Sequence, residues 1–105
     1  MAKNPISFSQ RDGRVRCEIH NLPDWEGLEK LALFLEKQYG ASVVERFDGP
    51  DARRWVLAVG ATRVELQHED PWGNVLVALD AQGDELVRRI GDDLGARLAG
   101  LDPSG

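Results

Sequence analysis

Two short polar clusters hold most of this chain's reactive side chains. Cys17-x-x-His20 sets a thiol and an imidazole close together, and His68-Glu69-Asp70 adds an imidazole and two carboxylates. A metal ion needs such ligands converging from one side of the backbone. In a strand, residues three apart point to opposite faces, so Cys17 and His20 do not grip one ion, and no second CxxC or HxxxH accompanies them. No metal site is expected. Nucleophilic catalysis would need Cys17 or a serine beside a histidine and a carboxylate. Ser7, Ser9, Ser42 and Ser104 fall in strand patterns or the tail, and Cys17 alternates inward with Val15 and Ile19, so no catalytic residue is assigned. Gly91-Asp-Asp-Leu-Gly95 matches neither phosphate-binding fingerprint and carries two acids that would repel a phosphate, so no cofactor is expected. What remains is His68, with Arg53 expected opposite it and Glu69 beside it. These three read first as structural and, as the alternative, as a small-ligand or catalytic site.

The stretch that positions them runs from Arg53 to Leu79. Gly60-Ala61, between two β-rich runs, has the form of a two-residue hairpin loop in which glycine takes the positive-φ position. That loop pairs Val59 with Thr62, Leu57 with Val64, Trp55 with Leu66 and Arg53 with His68. Trp55, Leu57, Val64 and Leu66 then share a core face, while Arg54, Arg63, Glu65 and Gln67 share the other. A slip of one residue would turn every side chain over, so turn chemistry and alternation support each other. The next turn, Asp70-Pro71-Trp72-Gly73, is read as a four-residue loop that sets Leu66 against Val77 and Val64 against Leu79, with Trp72 at its tip.

The flanking segments supply the other elements. Ile6–Gln10 and Val15–His20 alternate around a turn at Arg11-Asp-Gly-Arg14 and form a hairpin. Asp24 caps a helix that runs to Tyr39 with Trp25, Leu28, Leu31, Ala32, Leu35 and Tyr39 on its apolar stripe, and Gly40 closes it. Ala41–Phe47 is a strand whose register is open between Val43 with Phe47 and Val44 with Arg46 facing the core, the first being preferred. Asp80 or Asp84 caps a last helix carrying Leu86, Val87, Ile90, Leu94 and Leu98. Gly91 and Gly95 share one of its faces, suited to close approach of the sheet or of a second copy. The order is β-β-α-β-β-β-β-α, expected as a two-layer α+β domain: an antiparallel sheet with both helices mainly on one face, spanning residues 1–105 with an ordered core from about 5 to 100.

Composition narrows the partners. Thirteen basic against 18 acidic residues give a net charge of −5, the wrong sign for a protein that lives on phosphate backbones. Neither a nucleic acid nor a membrane surface is expected, and a basic protein partner is electrostatically easier. One cysteine, no apolar leader at the N-terminus and no run of membrane-spanning length point to a reducing, cytoplasmic setting.

Trp72, Arg54, Arg63, Glu65 and Gln67 form the candidate interaction surface, because tryptophan and arginine dominate strong protein contacts. Tyr39-Gly-Ala-Ser-Val-Val, Asp51-Ala-Arg-Arg-Trp-Val-Leu and Leu66-x-His-Glu-Asp-Pro-Trp-Gly-Asn, followed by a closing amphipathic helix, make the chain resemble small bacterial single-domain proteins of unknown function. It is more distantly similar to immunity proteins of bacterial toxin systems. The resemblance covers Trp25 to Leu98; it implies a fold and no activity. The function expected is a non-enzymatic protein-binding or regulatory module, toxin neutralisation being one example. The alternatives are the His68/Arg53/Glu69 site and a homo-oligomer formed through the Gly91/Gly95 helix or a sheet edge.

Overall fold

A computed structural model describes residues 5–22, 24–69 and 73–100. Among these residues six strands form a single antiparallel sheet: β1 (Ile6–Arg11), β2 (Arg14–Ile19), β3 (Ser42–Asp48), β4 (Ala52–Val59), β5 (Thr62–Glu69) and β6 (Gly73–Ala78). Helix α1 (Trp25–Tyr39) follows β2, and α2 (Ala81–Gly100) follows β6, which gives the α+β order expected from the sequence. Across the sheet the strands lie β1-β2-β6-β5-β4-β3. The chain thus builds one edge as a hairpin, crosses by α1 to the far edge, and returns strand by strand until β6 closes against β2.

The β4–β5 hairpin has the register that its turn and its alternation dictate. Val59 pairs with Thr62, Leu57 with Val64, Trp55 with Leu66 and Arg53 with His68, and Gly60 turns the chain at φ 61°. Trp55, Leu57, Val64 and Leu66 are all buried on the helix side. Around them α1 contributes Leu28, Leu31, Ala32 and Leu35, and α2 contributes Leu86, Val87, Ile90 and Leu94. Burying each such side chain contributes roughly 1.5–3 kcal/mol. Asp24 caps α1 through its carboxylate, which accepts from the Gly27 amide at 2.7 Å; Asp80, rather than Asp84, does the same for α2 with Gly83 at 2.7 Å. Asp84 instead accepts from the Val15 amide at 2.9 Å and pairs with Arg14, tying the first turn of α2 to β2.

Two register readings are corrected. In the β5–β6 hairpin Glu69 pairs with Gly73, Leu66 with Leu76 and Val64 with Ala78, one residue tighter than the four-residue loop. All of β6 is buried, on both faces, so Val75, Leu76, Val77 and Ala78 offer apolar partners in either register and matching apolar to apolar decides nothing. Leu79, assigned to the core, leaves the strand and is 45% exposed. In β3 neither proposed set holds, because the register shifts between Val43 and Glu45. This bulge leaves Val43 opposite Leu57 and Arg46 opposite Trp55 on the helix side, and sends Phe47 to the other face, 56% exposed.

Gly91 and Gly95 are occupied from within the chain. A β-carbon at Gly91 would lie 2.5 Å from the Phe8 ring and 3.0 Å from the Cys17 sulfur; one at Gly95 would meet Ile6 at 3.2 Å. These glycines let α2 settle closely on β1 and β2. Gly27 is as tightly enclosed and its nearest neighbour is backbone, since a β-carbon there would stand 2.6 Å from the Leu22 carbonyl oxygen and 2.8 Å from the Asn74 side-chain nitrogen. Gly27→Ala should therefore destabilise the fold by about 1–3 kcal/mol in denaturant unfolding, although alanine is the better helix former. Equal or greater stability would mean that the α1 N-terminus is less closely seated on β6.

Candidate functional site

The buried polar cluster at one end of the sheet begins with Arg53, on β4 and 6% exposed. Its guanidinium lies 4.6 Å from the centre of the Trp25 ring and 4.7 Å from that of Trp55, and Arg46 covers Trp55 from 4.1 Å. Arginine suits this position because its flat, weakly hydrated cation can stack on aromatic faces while its edge still donates hydrogen bonds. Nε donates to Asp48 at 2.9 Å, Nη1 to the Trp25 carbonyl at 3.2 Å and Nη2 to Glu29 at 3.3 Å. The Trp55 indole donates to the same Asp48 oxygen at 2.8 Å.

Beside it His68 and Asn74 are each 3% exposed and share a hydrogen bond of 2.9 Å between Nδ1 and Oδ1. The Asn74 amide nitrogen donates to the carbonyls of Leu22 and Asp24, and Trp25 meets the His68 ring edge-on at 5.4 Å. Strand ends of β4, β5 and β6 are thus joined to the start of α1 by one polar network. The pairing of Arg53 with His68 was legible in the hairpin. Asn74 was not singled out; its signal is a lone amide next to the apolar run Val75-Leu76-Val77. Buried polar groups of this kind are costly unless partnered, and these have partners.

Glu69 stands apart from that network. It follows His68 on β5, so its side chain turns to the opposite face and is exposed. Arg53, His68 and Glu69 do border one open hollow of about 430 Å³ at the sheet end, together with Phe47, Arg54 and Gln67. Within it the Arg53 cation is already committed to two carboxylates and a carbonyl. Cys17 is fully buried on the helix side, with burial first and then Asp92 and Glu18 pushing its thiol up to about 12. His20 is exposed and bonds Ser7 at 2.8 Å.

The second arrangement lies on the face of the sheet that neither helix contacts. There Val56, Ala58, Val75 and Val77 form an apolar strip crossed by Arg16, Arg54, Arg63, Glu65 and Gln67. Gln67 donates to Glu65 at 2.6 Å and Arg54 approaches Glu65 at 3.9 Å, so this lattice shields the valines, Val75 and Val77 being 9% exposed. Towards β3 the strip opens into a hollow of about 270 Å³ lined by Glu45, Phe47, Arg54, Val56, Arg63, Glu65 and Leu79 among others. Four of the five residues read as an interaction surface share this face: Arg54, Arg63, Glu65 and Gln67. The fifth, Trp72, lies outside the described residues. Phe47 and Leu79, both assigned inward from the sequence, instead supply the exposed apolar rim.

Comparison with protein-family models, curated proteins and solved structures finds no match. Among the described residues no three metal-ligating side chains cluster, and no helix is long and apolar enough to cross a membrane.

Asp48 makes the polar cluster sensitive to acid. Hydrogen bonds from Trp55 and Arg53 hold its carboxyl below the ordinary 3.8. A depressed carboxyl contributes stability that is fully present above its unfolded pKa and is lost as pH falls through the folded one. Asp93 adds a second such term, held down by Arg97 and by Tyr39, whose hydroxyl is pushed up to about 12 by burial and by that same carboxylate. Asp48→Asn should lower stability at neutral pH and flatten its decline between about pH 5 and 2, leaving the slope due to Asp93. Thermal unfolding followed across that range checks this, and parallel curves for the two proteins would contradict it.

Proposed function

We propose that this chain is a non-enzymatic protein-binding module that engages its partner through the uncovered face of the sheet. The observation that carries the reading is the hollow between Phe47 and Leu79, where exposed apolar groups surround a valine floor and charged side chains of both signs stand at the wall. Exposed apolar surface rimmed by polar residues marks interaction sites, and arginines in such places are frequent strong contributors. Arg63 is exposed and makes no ion pair among the described residues, and Arg54 is held only loosely. Their guanidinium groups are free to take carboxylates from a partner, while Glu45 can take a cation. The partner this fits is a protein segment that inserts one apolar side chain between groups of opposite charge. An overall basic partner is favoured at longer range by the net charge of −5.

The test is affinity measured on a partner recovered with the wild-type chain and then purified. Arg63→Glu should weaken binding at least tenfold, about 1.4 kcal/mol, without changing the thermal midpoint. Lys37→Glu, on the exposed side of α1, should leave affinity unchanged. Undiminished binding by Arg63→Glu, or equal losses from both variants, would overturn the assignment.

A further inference from the structure

The two edges of the sheet are finished differently. β3 carries a bulge at Val44, charges at Glu45, Arg46 and Asp48, and a proline two residues beyond its end. These are the devices by which proteins blunt an edge against pairing with another chain. β1 carries fewer of them: it has no bulge, a single charge at its end, and a proline, Pro5, just before it begins. Its register with β2 is unbroken from Ile6 to Arg11, its only charge is the terminal Arg11, and Ser7 through Arg11 are exposed. The Pro5 carbonyl accepts from the His20 amide at 2.7 Å, which fixes the phase of the ladder. Hydrogen-bonded pairs alternate along an antiparallel ladder, so residues 7, 9 and 11 direct their amides and carbonyls at β2, while Ile6, Phe8 and Gln10 direct theirs away from the sheet.

We infer that β1 is a strand-addition site whose occupant is β1 of a second copy, joined antiparallel about a two-fold axis at Phe8. In that register Phe8 faces its own symmetry mate, Ile6 faces Gln10, and Ser7 faces Ser9. Every outward amide and carbonyl of Ile6, Phe8 and Gln10 then meets a partner, and no like charges stand opposite one another. Sliding by two residues would centre the pairing on Ser9 and leave Ile6 without its Gln10 partner. The neighbouring helix suits the same seam. Beside β1 an open groove of about 500 Å³ is lined by Phe8, Gly91, Asp92, Gly95, Ala96 and Ala99 among others. A two-fold axis perpendicular to the sheet keeps both helical layers on one side. The second copy's Phe8, 38% exposed in the single chain, and its α2 then approach this small-residue surface. The union extends the sheet edge to edge and leaves the face carrying Arg54 and Arg63 uncovered in both copies, so it stands independently of the binding role proposed for that face.

Sedimentation velocity of the wild-type chain from about 5 to 200 μM should show conversion to a species of twice the chain mass, with amide exchange at Phe8 slowing as that species forms. Gln10→Pro removes one outward donor per copy and should raise the dissociation constant at least tenfold, while the β2-facing amides of Ser7 and Ser9 stay protected. Phe8→Lys, which sets two ammonium groups face to face at the axis, should abolish the dimer even if Gln10→Pro fails to fold. A wild-type chain that stays monomeric throughout, rapid Phe8 exchange in the dimer, or dimerisation untouched by a folded Gln10→Pro variant would each overturn the inference.

Discussion

The stacking of one cation between two indole rings is the interaction on which the arrangement of this molecule depends. Arg53 belongs to the sheet and Trp25 to the first residue of α1, and their contact decides where the helix begins relative to the strands beneath it. Without compensation a guanidinium at that depth would be a liability. Asp48, at the end of β3, and Glu29 with the Trp25 carbonyl, both in α1, supply the compensation. The same geometry brings Asn74 against the turn before α1, so helix capping, strand pairing and charge burial occupy one small volume. A polar cluster in which each member fixes the next specifies one packing more sharply than apolar contacts of equal area.

That arrangement divides the labour between the two sides of the sheet. The helix side holds the apolar core and the buried histidine and arginine. Among the described residues the other side is covered by its own long side chains alone, with Glu65 and Gln67 lying across Val75 and Val77. The bond between Gln67 and Glu65 fixes those two side chains on the surface of the single chain. The bulge in β3 contributes as well, because it places Phe47 on the uncovered side while keeping Asp48 within reach of Arg53.

Much of this was legible in the residues themselves, and the exceptions have physical reasons. Gly60-Ala61 and strict alternation on both sides of it determine the β4–β5 pairing, so the meeting of Arg53 with His68 and the shared face of Arg54, Arg63, Glu65 and Gln67 follow without coordinates. β6 resisted because it is the strand buried on both sides, and a run of apolar residues carries no phase. The bulge at Val44 resisted because one inserted residue reverses the alternation that a regular strand would maintain. Asn74 went unnoticed for a related cause: its importance lies in contacts with Leu22 and Asp24, some fifty positions earlier in the chain.

The strand order has a temporal consequence. β6, the last in chain order of the six strands described, sits between the β1–β2 hairpin and the other three strands. As the polypeptide emerges during synthesis, β1 and β2 have no neighbour to join until β6 has been made, and α2, which covers them, comes later still. The native sheet is therefore completed only when its sixth strand emerges rather than assembled progressively, with the first hairpin waiting on β6 and α2.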